Sequence, residues 1–254
     1  MKQGMRAMAG AVALVGLLAT AGPAVAKDRV IAVEGVSKAD ADRRVEILVH
    51  VPDGADANAA AERALAGQGA KKAPKPPPEQ PQSNSYSFTG LFWDTRQVTQ
   101  NYNPAGSPQP GAQTALNNTY GPWSSVSGSN YRIRSGGGTT SRCPSLVREC
   151  PGAQRNDRFN DVGWAQLSNG TLGVTWSTSG TDEADMAINT RYRWSTGCTA
   201  QAGAFDLQSV YLHENGHVAG LGHSTDTGAV MYPSYQTARC ALATDDRNGI
   251  AALY

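Results

Sequence analysis

Histidine is scarce in this chain, with four among 254 residues. Lysine ends at Lys75, so arginine is the only strong base beyond it. With a formal net charge of +1 and no basic run interleaved with aromatics, nothing marks a nucleic-acid interface. Arg132, Arg134, Arg155 and Arg158 are scattered and read as solvated surface. Long apolar runs are also lacking. The one that exists, from about Ala7 to Ala21, is short for a bilayer span, which needs about 20 residues. There are four cysteines, all from Cys143 onward. None has CxxC spacing, which argues against a metal site built from them. Internal repeats are absent.

The apolar run follows Met1-Lys2-Gln3-Gly4-Met5-Arg6 and leads into Pro23-Ala24-Val25-Ala26. A positive start, a short apolar core and an AxA site predict a secretory leader over residues 1–26. Residues 27–70 read as a propeptide or small accessory unit, with strands over Arg29–Val36 and Arg44–Val51, a turn at Asp53-Gly54 and a helix over Ala55–Ala66. So short a unit can bury only a small core. Residues 71–85 are a proline-rich linker open to proteolysis. Residues 86–254 form the main domain. Short strands are predicted at Gly90–Trp93 and Tyr131–Ile133, and helices at Asp206–Ala219 and near Gly111–Tyr120. Asp206 is the expected N-cap of its helix, with Leu207, Val210, Tyr211 and Val218 as its apolar stripe. An even number of cysteines in an exported protein predicts two disulfides among three pairings. The favoured set is Cys143 with Cys150 and Cys198 with Cys240. His50 reads as an ordinary strand residue.

The other three histidines fall in His213-Glu214-Asn215-Gly216-His217-Val218-Ala219-Gly220-Leu221-Gly222-His223. On a helix, positions i and i+4 share a face, so His213 and His217 can present two imidazoles to one ion. Gly220 suits a helix end that turns the chain back toward His223. Three protein ligands and an open fourth position describe a catalytic zinc site, whereas a structural site uses four. Glu214 lies beside the metal, placed as a general base toward a water acidified by the zinc.

This run resembles the signature of the metzincin metallopeptidases, HExxHxxGxxH followed by a methionine turn. Ser224 and the stretch Thr225-Asp226-Thr227-Gly228-Ala229-Val230-Met231-Tyr232-Pro233-Ser234-Tyr235 are similar to the matrixin subfamily. Pro233 stands where astacins carry a zinc-binding tyrosine, which disfavours that subfamily. The resemblance implies that Met231 forms a base under the imidazoles and that Pro233 and Tyr235 line the outer wall of the S1′ pocket. It also implies that Leu172, Gly173, Val174 and Thr175 form the edge strand above the cleft, binding substrate through Leu172 and Gly173. Ala184–Asn189 would be the neighbouring strand. The closing helix with Asp245 and Asp246 is similar to that of matrixins, where one such aspartate receives the new N-terminal ammonium; read alone, both are helix-capping groups. Residues 27–70 hold no cysteine, so a thiol cannot block the zinc, and steric covering of the cleft or assistance in folding is the expectation. No further histidine remains in residues 86–254 for a second zinc. Asp157, Asp161, Asp182 and Glu183 are candidate calcium ligands or ordinary turn residues.

The resulting expectation is an α/β (α+β) metzincin-like domain: a twisted mixed sheet, about three helices and a Met-turn. Its function would be that of a secreted, extracellular, monomeric zinc endopeptidase, made as a zymogen and acting on protein or peptide substrates. The alternative is an exported, non-catalytic zinc-containing binding module. Glu214 separates the two, because binding alone has no chemical need of it. A different hydrolase on a related zinc scaffold is a third reading, disfavoured by the Met-turn and the Pro-x-Tyr wall.

Overall fold

The computed structural model describes residues 29–38, 43–51, 55–72, 85–144, 157–178 and 183–254. The predicted leader, Asp53, most of the linker, Cys150, Arg155 and Asp182 lie outside the described residues. Among the described residues, no helix is long and apolar enough to cross a membrane.

One eight-stranded sheet organises the molecule, in the order β3-β1-β2-β7-β8-β6-β4-β5. Five strands come from the C-terminal part: β4 (Gln97–Tyr102), β5 (Arg132–Thr139), β6 (Asn160–Ala165), β7 (Thr171–Thr178) and β8 (Glu183–Asn189). The pairs β4/β5, β4/β6 and β6/β8 are parallel, while β7 runs antiparallel to β8. The remaining strands are β1 (Arg29–Ser37), β2 (Arg43–Val51) and β3 (Ala70–Lys72). They extend the same sheet, because β2 pairs antiparallel with β7 from Arg43↔Thr178 to Val49↔Thr171. The strand holding Leu172 and Gly173 is thus not an edge in this chain. The reason is shared packing: Val45, Ile47, Val49 and Val51 of β2 are buried in one core with Val174 and Trp176 of β7.

Each sheet face carries its own core. On one face, α2 (Ala112–Ser124) and α3 (Leu207–Val218) pack against Val98, Tyr102, Ile133, Val162, Trp164, Met186 and Ile188. The two helices are tied where Trp123 Nε1 donates to the carbonyl of Leu212 (2.9 Å) and Asn215 Nδ2 to Thr119 Oγ1 (2.7 Å). On the other face, α1 (Ala57–Gly67) covers Val174, Trp176, Ala187, Ala165 and Leu167 together with the β2 valines. Residues 29–72 therefore share a core with the main sheet, a contact that pattern-reading of a short unit does not reveal.

Helix α3 differs from expectation. Instead of one apolar stripe, every residue except Gln208 is buried. It runs through the interior, so its polar members must find partners there. The segment Gly90–Trp93 is irregular rather than a strand. Trp93 anchors it by donating from Nε1 to Val218 O (2.6 Å) and from its backbone N–H to Tyr254 Oη (2.9 Å). The predicted third helix is α2, and the chain closes with α4 (Thr244–Leu253).

Candidate metal centre and peptide cleft

Helix α3 starts where Asp206, fully buried, accepts from the Ser209 backbone N–H (2.8 Å). One turn of helix separates His213 from His217, and their Nε2 atoms lie 3.0 Å apart. After Val218 the chain reverses at Gly220, whose φ of 98° suits glycine, and whose Cβ, if present, would collide with the Leu91 carbonyl oxygen. That reversal brings His223 Nε2 to 3.1 Å from His217 Nε2. The orientation of two rings is set by carbonyls: His213 Nδ1 faces Val230 O (2.8 Å) and His217 Nδ1 faces Leu221 O (2.9 Å). Each carbonyl requires an N–H at Nδ1, which leaves the lone pair at Nε2.

Three ring nitrogens converge, those of His213 and His217 with their lone pairs inward, an arrangement that favours a cation among them. Zinc–nitrogen bonds of about 2.0–2.1 Å in a tetrahedron imply N···N separations of about 3.3 Å, close to those here. Burial favours the same state, holding His213 down to about 3 and His217 well below the ordinary histidine value, with neighbouring imidazoles adding to the effect. The donor set therefore fits a zinc ion.

Glu214 is fully buried beside this cluster. Its Oε2 accepts from Thr175 Oγ1 (2.5 Å), while Oε1 has no hydrogen-bond partner among the described residues. Burial pushes its carboxyl up to about 8, opposed by the Thr175 hydrogen bond. Gly173, two residues along the same strand face, lies against Oε1: a Cβ there would be 3.0 Å from it. In the sequence Thr175 is only a member of the strand above the cleft, with no role at Glu214. Its signal was the period-two relation to Gly173 on one face of β7.

The Met-turn sits directly on α3. Met231 is buried, and a Cβ at Gly216 would collide with its sulfur. The turn is fixed from α4. Asp246, also buried, accepts from the backbone N–H of Val230 (2.8 Å), of Met231 (3.0 Å) and of Ala243 (2.8 Å). Asp245 instead accepts from Ser224 Oγ (2.6 Å) and from the Ser85 backbone N–H (3.2 Å). The two aspartates thus do different jobs, and only Asp246 combines capping with support of the turn.

Beside His213 a narrow cleft is lined by Val210, Val230, Tyr232, Ser234, Tyr235 and Arg239. Tyr235 is anchored through its hydroxyl, which accepts from the Asp206 N–H (2.9 Å). Pro233 lies between the lining residues Tyr232 and Ser234, half-buried. Cys198 and Cys240 form a disulfide next to this wall, with Cα atoms 5.9 Å apart. Cys143 is disulfide-bonded too, and its expected partner Cys150 lies outside the described residues. Of the carboxylates considered for calcium, the three among the described residues are engaged by protein groups. Asp161 pairs with Arg142 (3.0 Å), Glu183 accepts from the Arg158 N–H (2.8 Å), and Asp157 from the Phe159 N–H (2.9 Å).

The model of the matrixin family matches residues 156–254, the stretch that carries every group of the cluster. This stretch belongs to the matrixin family. The fold agrees: a five-stranded mixed sheet with helices, extended here by β1–β3. Curated relatives match parts of the chain. Metalloendoproteinase 1 of Glycine max is 57% identical over 53 residues, 20% of this chain and 17% of that protein. Metalloendoproteinase 4-MMP of Arabidopsis thaliana is 35% identical over 101 residues, 38% of this chain and 30% of its own length. Matrix metalloproteinase-25 of Mus musculus is 28% identical over 180 residues, 66% of this chain and 28% of its own. The chain thus spans less than a third of each of these relatives.

Proposed function

We propose that the chain is a zinc-dependent endopeptidase that hydrolyses peptide bonds of proteins, with His213, His217 and His223 as metal ligands and Glu214 as general base. The observation that carries this reading is the convergence of three imidazole nitrogens beside a buried carboxylate whose Oε1 has no partner among the described residues. Zinc, when bound, supplies a Lewis-acidic charge that acidifies water and polarises a carbonyl. Glu214 takes the proton from the attacking water and returns it to the leaving amine. Thr175 holds the carboxylate in place through Oε2, leaving Oε1 for that transfer. Val230 O and Leu221 O keep the imidazoles in the ligating tautomer. Met231 supports the helix turn between His213 and His217. Tyr235 and Pro233 belong to the wall of the cleft that takes the side chain beyond the scissile bond. Leu172 and Gly173 offer strand backbone to an extended substrate.

Secretion as a zymogen is part of the proposal. It rests on the leader read from residues 1–26, the cleavable linker at 71–85 and the Cys198–Cys240 bond, which persists in oxidising compartments. The test is hydrolysis of a quenched protein substrate by the chain cut in the linker, compared with Glu214→Gln, with zinc measured on both. Glu214→Gln should retain one zinc and lose about 10²–10⁴-fold in rate. Undiminished turnover would sink the assignment of Glu214. Zinc in both with cleavage by neither would favour a binding module.

A further inference from the structure

Strand β7 is hydrogen-bonded along both edges, to β8 on one side and to β2 on the other. The β7 positions that touch the Glu214 carboxylate are Gly173 and Thr175. Thr175 pairs with Glu46, Val174 with Ile47, and Gly173 faces the irregularity between Ile47 and Val49. The β2 backbone therefore occupies the β7 edge at the level of the carboxylate. An extended peptide adding to a sheet binds chiefly through main-chain hydrogen bonds to such an edge. We propose that β2 is a tethered occupant of this edge, so that the chain stays latent while residues 29–72 are docked and an extended peptide substrate replaces β2 when they leave. This rests on the peptidase reading above, because it assumes that substrate binds along β7.

Two observations set the terms of release. First, β2 is not held by its ladder alone. Val45, Ile47 and Val49, with Ala60, Ala64 and Leu65 of the helix behind them, share a core with Val174, Trp176 and Ala187 of the main sheet. Cutting the linker breaks none of these contacts, so a nicked chain remains latent until the fragment dissociates or is degraded. Second, Trp176 is buried with its Nε1 unpaired among the described residues. Departure of the fragment lets water reach that N–H, which offsets part of the apolar exposure. No cysteine precedes Cys143, so this block needs no thiol on the metal.

The test uses the full chain with a site for a sequence-specific protease placed in the linker. Hydrolysis of a quenched peptide, binding of a labelled peptide hydroxamate and amide exchange of residues 171–178 are followed in four samples: intact, nicked, Ile47→Asp and Ala64→Asp. Both substitutions fall in the shared core and outside the matrixin stretch, and retained zinc with protected α3 amides certifies the remaining fold. Intact and nicked chains should be equally slow at high concentration, and dilution of the nicked chain should raise its specific activity. The variants should exchange their β7 amides faster and gain at least about tenfold in hydrolysis, as when a competitor occupying most molecules is removed. Loss of β7 protection without any gain in hydrolysis or hydroxamate binding would overturn the proposal. If no sample cleaves any peptide, the peptidase reading fails by itself. Hydroxamate binding then decides: binding to the open samples alone supports edge occupancy, and equal binding to all refutes it.

Discussion

At the scale of single residues, the cluster is a contest between burial and charge. His213 is held down to about 3 from 6.5, and Glu214 is pushed up to about 8 from 4.5, in both cases first of all by burial. Each shift makes the stability of the metal-free chain depend on pH. Below pH 6.5 the unfolded histidine takes a proton that the folded one refuses, so stability falls as pH drops from 6.5 toward 3. Between pH 4.5 and 8 the folded glutamate keeps a proton that the unfolded one has lost, so its contribution is lost as pH rises through about 8. The two effects oppose each other between about pH 4.5 and 6.5, so the metal-free protein should lose thermal stability from about pH 6.5 to 8, and Glu214→Gln should remove that alkaline fall and steepen the fall from pH 6.5 to 4.5. Thermal melts of the metal-free proteins from pH 4 to 9 check this, and a Glu214→Gln profile parallel to wild type would refute the buried-carboxyl account. His213, Glu214 and His217 were legible in the sequence because their spacing maps onto one helix, and His223 because it follows a glycine suited to a helix end. Thr175, 39 residues away, was not, because only the sheet brings it to the carboxylate.

At the scale of elements, the Met-turn is clamped between α3 and α4. Asp246 satisfies three backbone N–H groups, two of them in the turn itself. Removing it with Asp246→Ala leaves buried donors unpaired, each costing about 1–3 kcal/mol. A loss of about 3 kcal/mol or more in denaturant unfolding is expected, whereas Asp245→Ala should cost about 1 kcal/mol, because Asp245 is less buried. Gly216 illustrates packing overriding propensity. Alanine is the better helix former by about 1 kcal/mol, yet here its methyl would meet Met231 and Trp123. Gly216→Ala should therefore destabilise by about 1–3 kcal/mol, and a gain in stability would show that Met231 moves aside freely. The capping role of Asp206 was readable from the sequence, since N-caps follow local rules. Full burial of α3 was not, because a helix covered on both flanks carries no single apolar stripe.

At the scale of the whole molecule, residues far apart in sequence close the cleft. The Cys198–Cys240 bond joins the segment leading into α3 to the one after the Met-turn, across a separation of 42 residues. Loop-closure entropy for that separation is about 4 kcal/mol, so Cys198→Ser with Cys240→Ser should lower unfolding free energy by up to that amount. Peptide hydrolysis by the reduced form should fall more for substrates with a large side chain beyond the scissile bond, because Tyr235 and Arg239 line the adjoining cleft. Equal losses for all substrates would detach the disulfide from the pocket wall. At the same scale, β1, β2 and β3 belong to the main sheet and α1 shares its core, so they are not a unit beside it.

By itself, the sequence determined which residues could bind a metal, where the helix carrying them begins and ends, and where β1, β2, α1 and α2 form. These follow from spacing, capping and periodicity, all of which act over a few residues. Tertiary structure alone decided that β2 adds to β7, that Thr175 and Gly173 flank the Glu214 carboxylate, and that Asp246 carries the Met-turn. It also supplied the carbonyls of Val230 and Leu221, which orient the imidazoles and leave no mark in a string of side chains. The physical reason is common to all of these. Strand register, backbone acceptors and shared cores depend on which surfaces meet, and local rules of chain conformation do not specify that meeting.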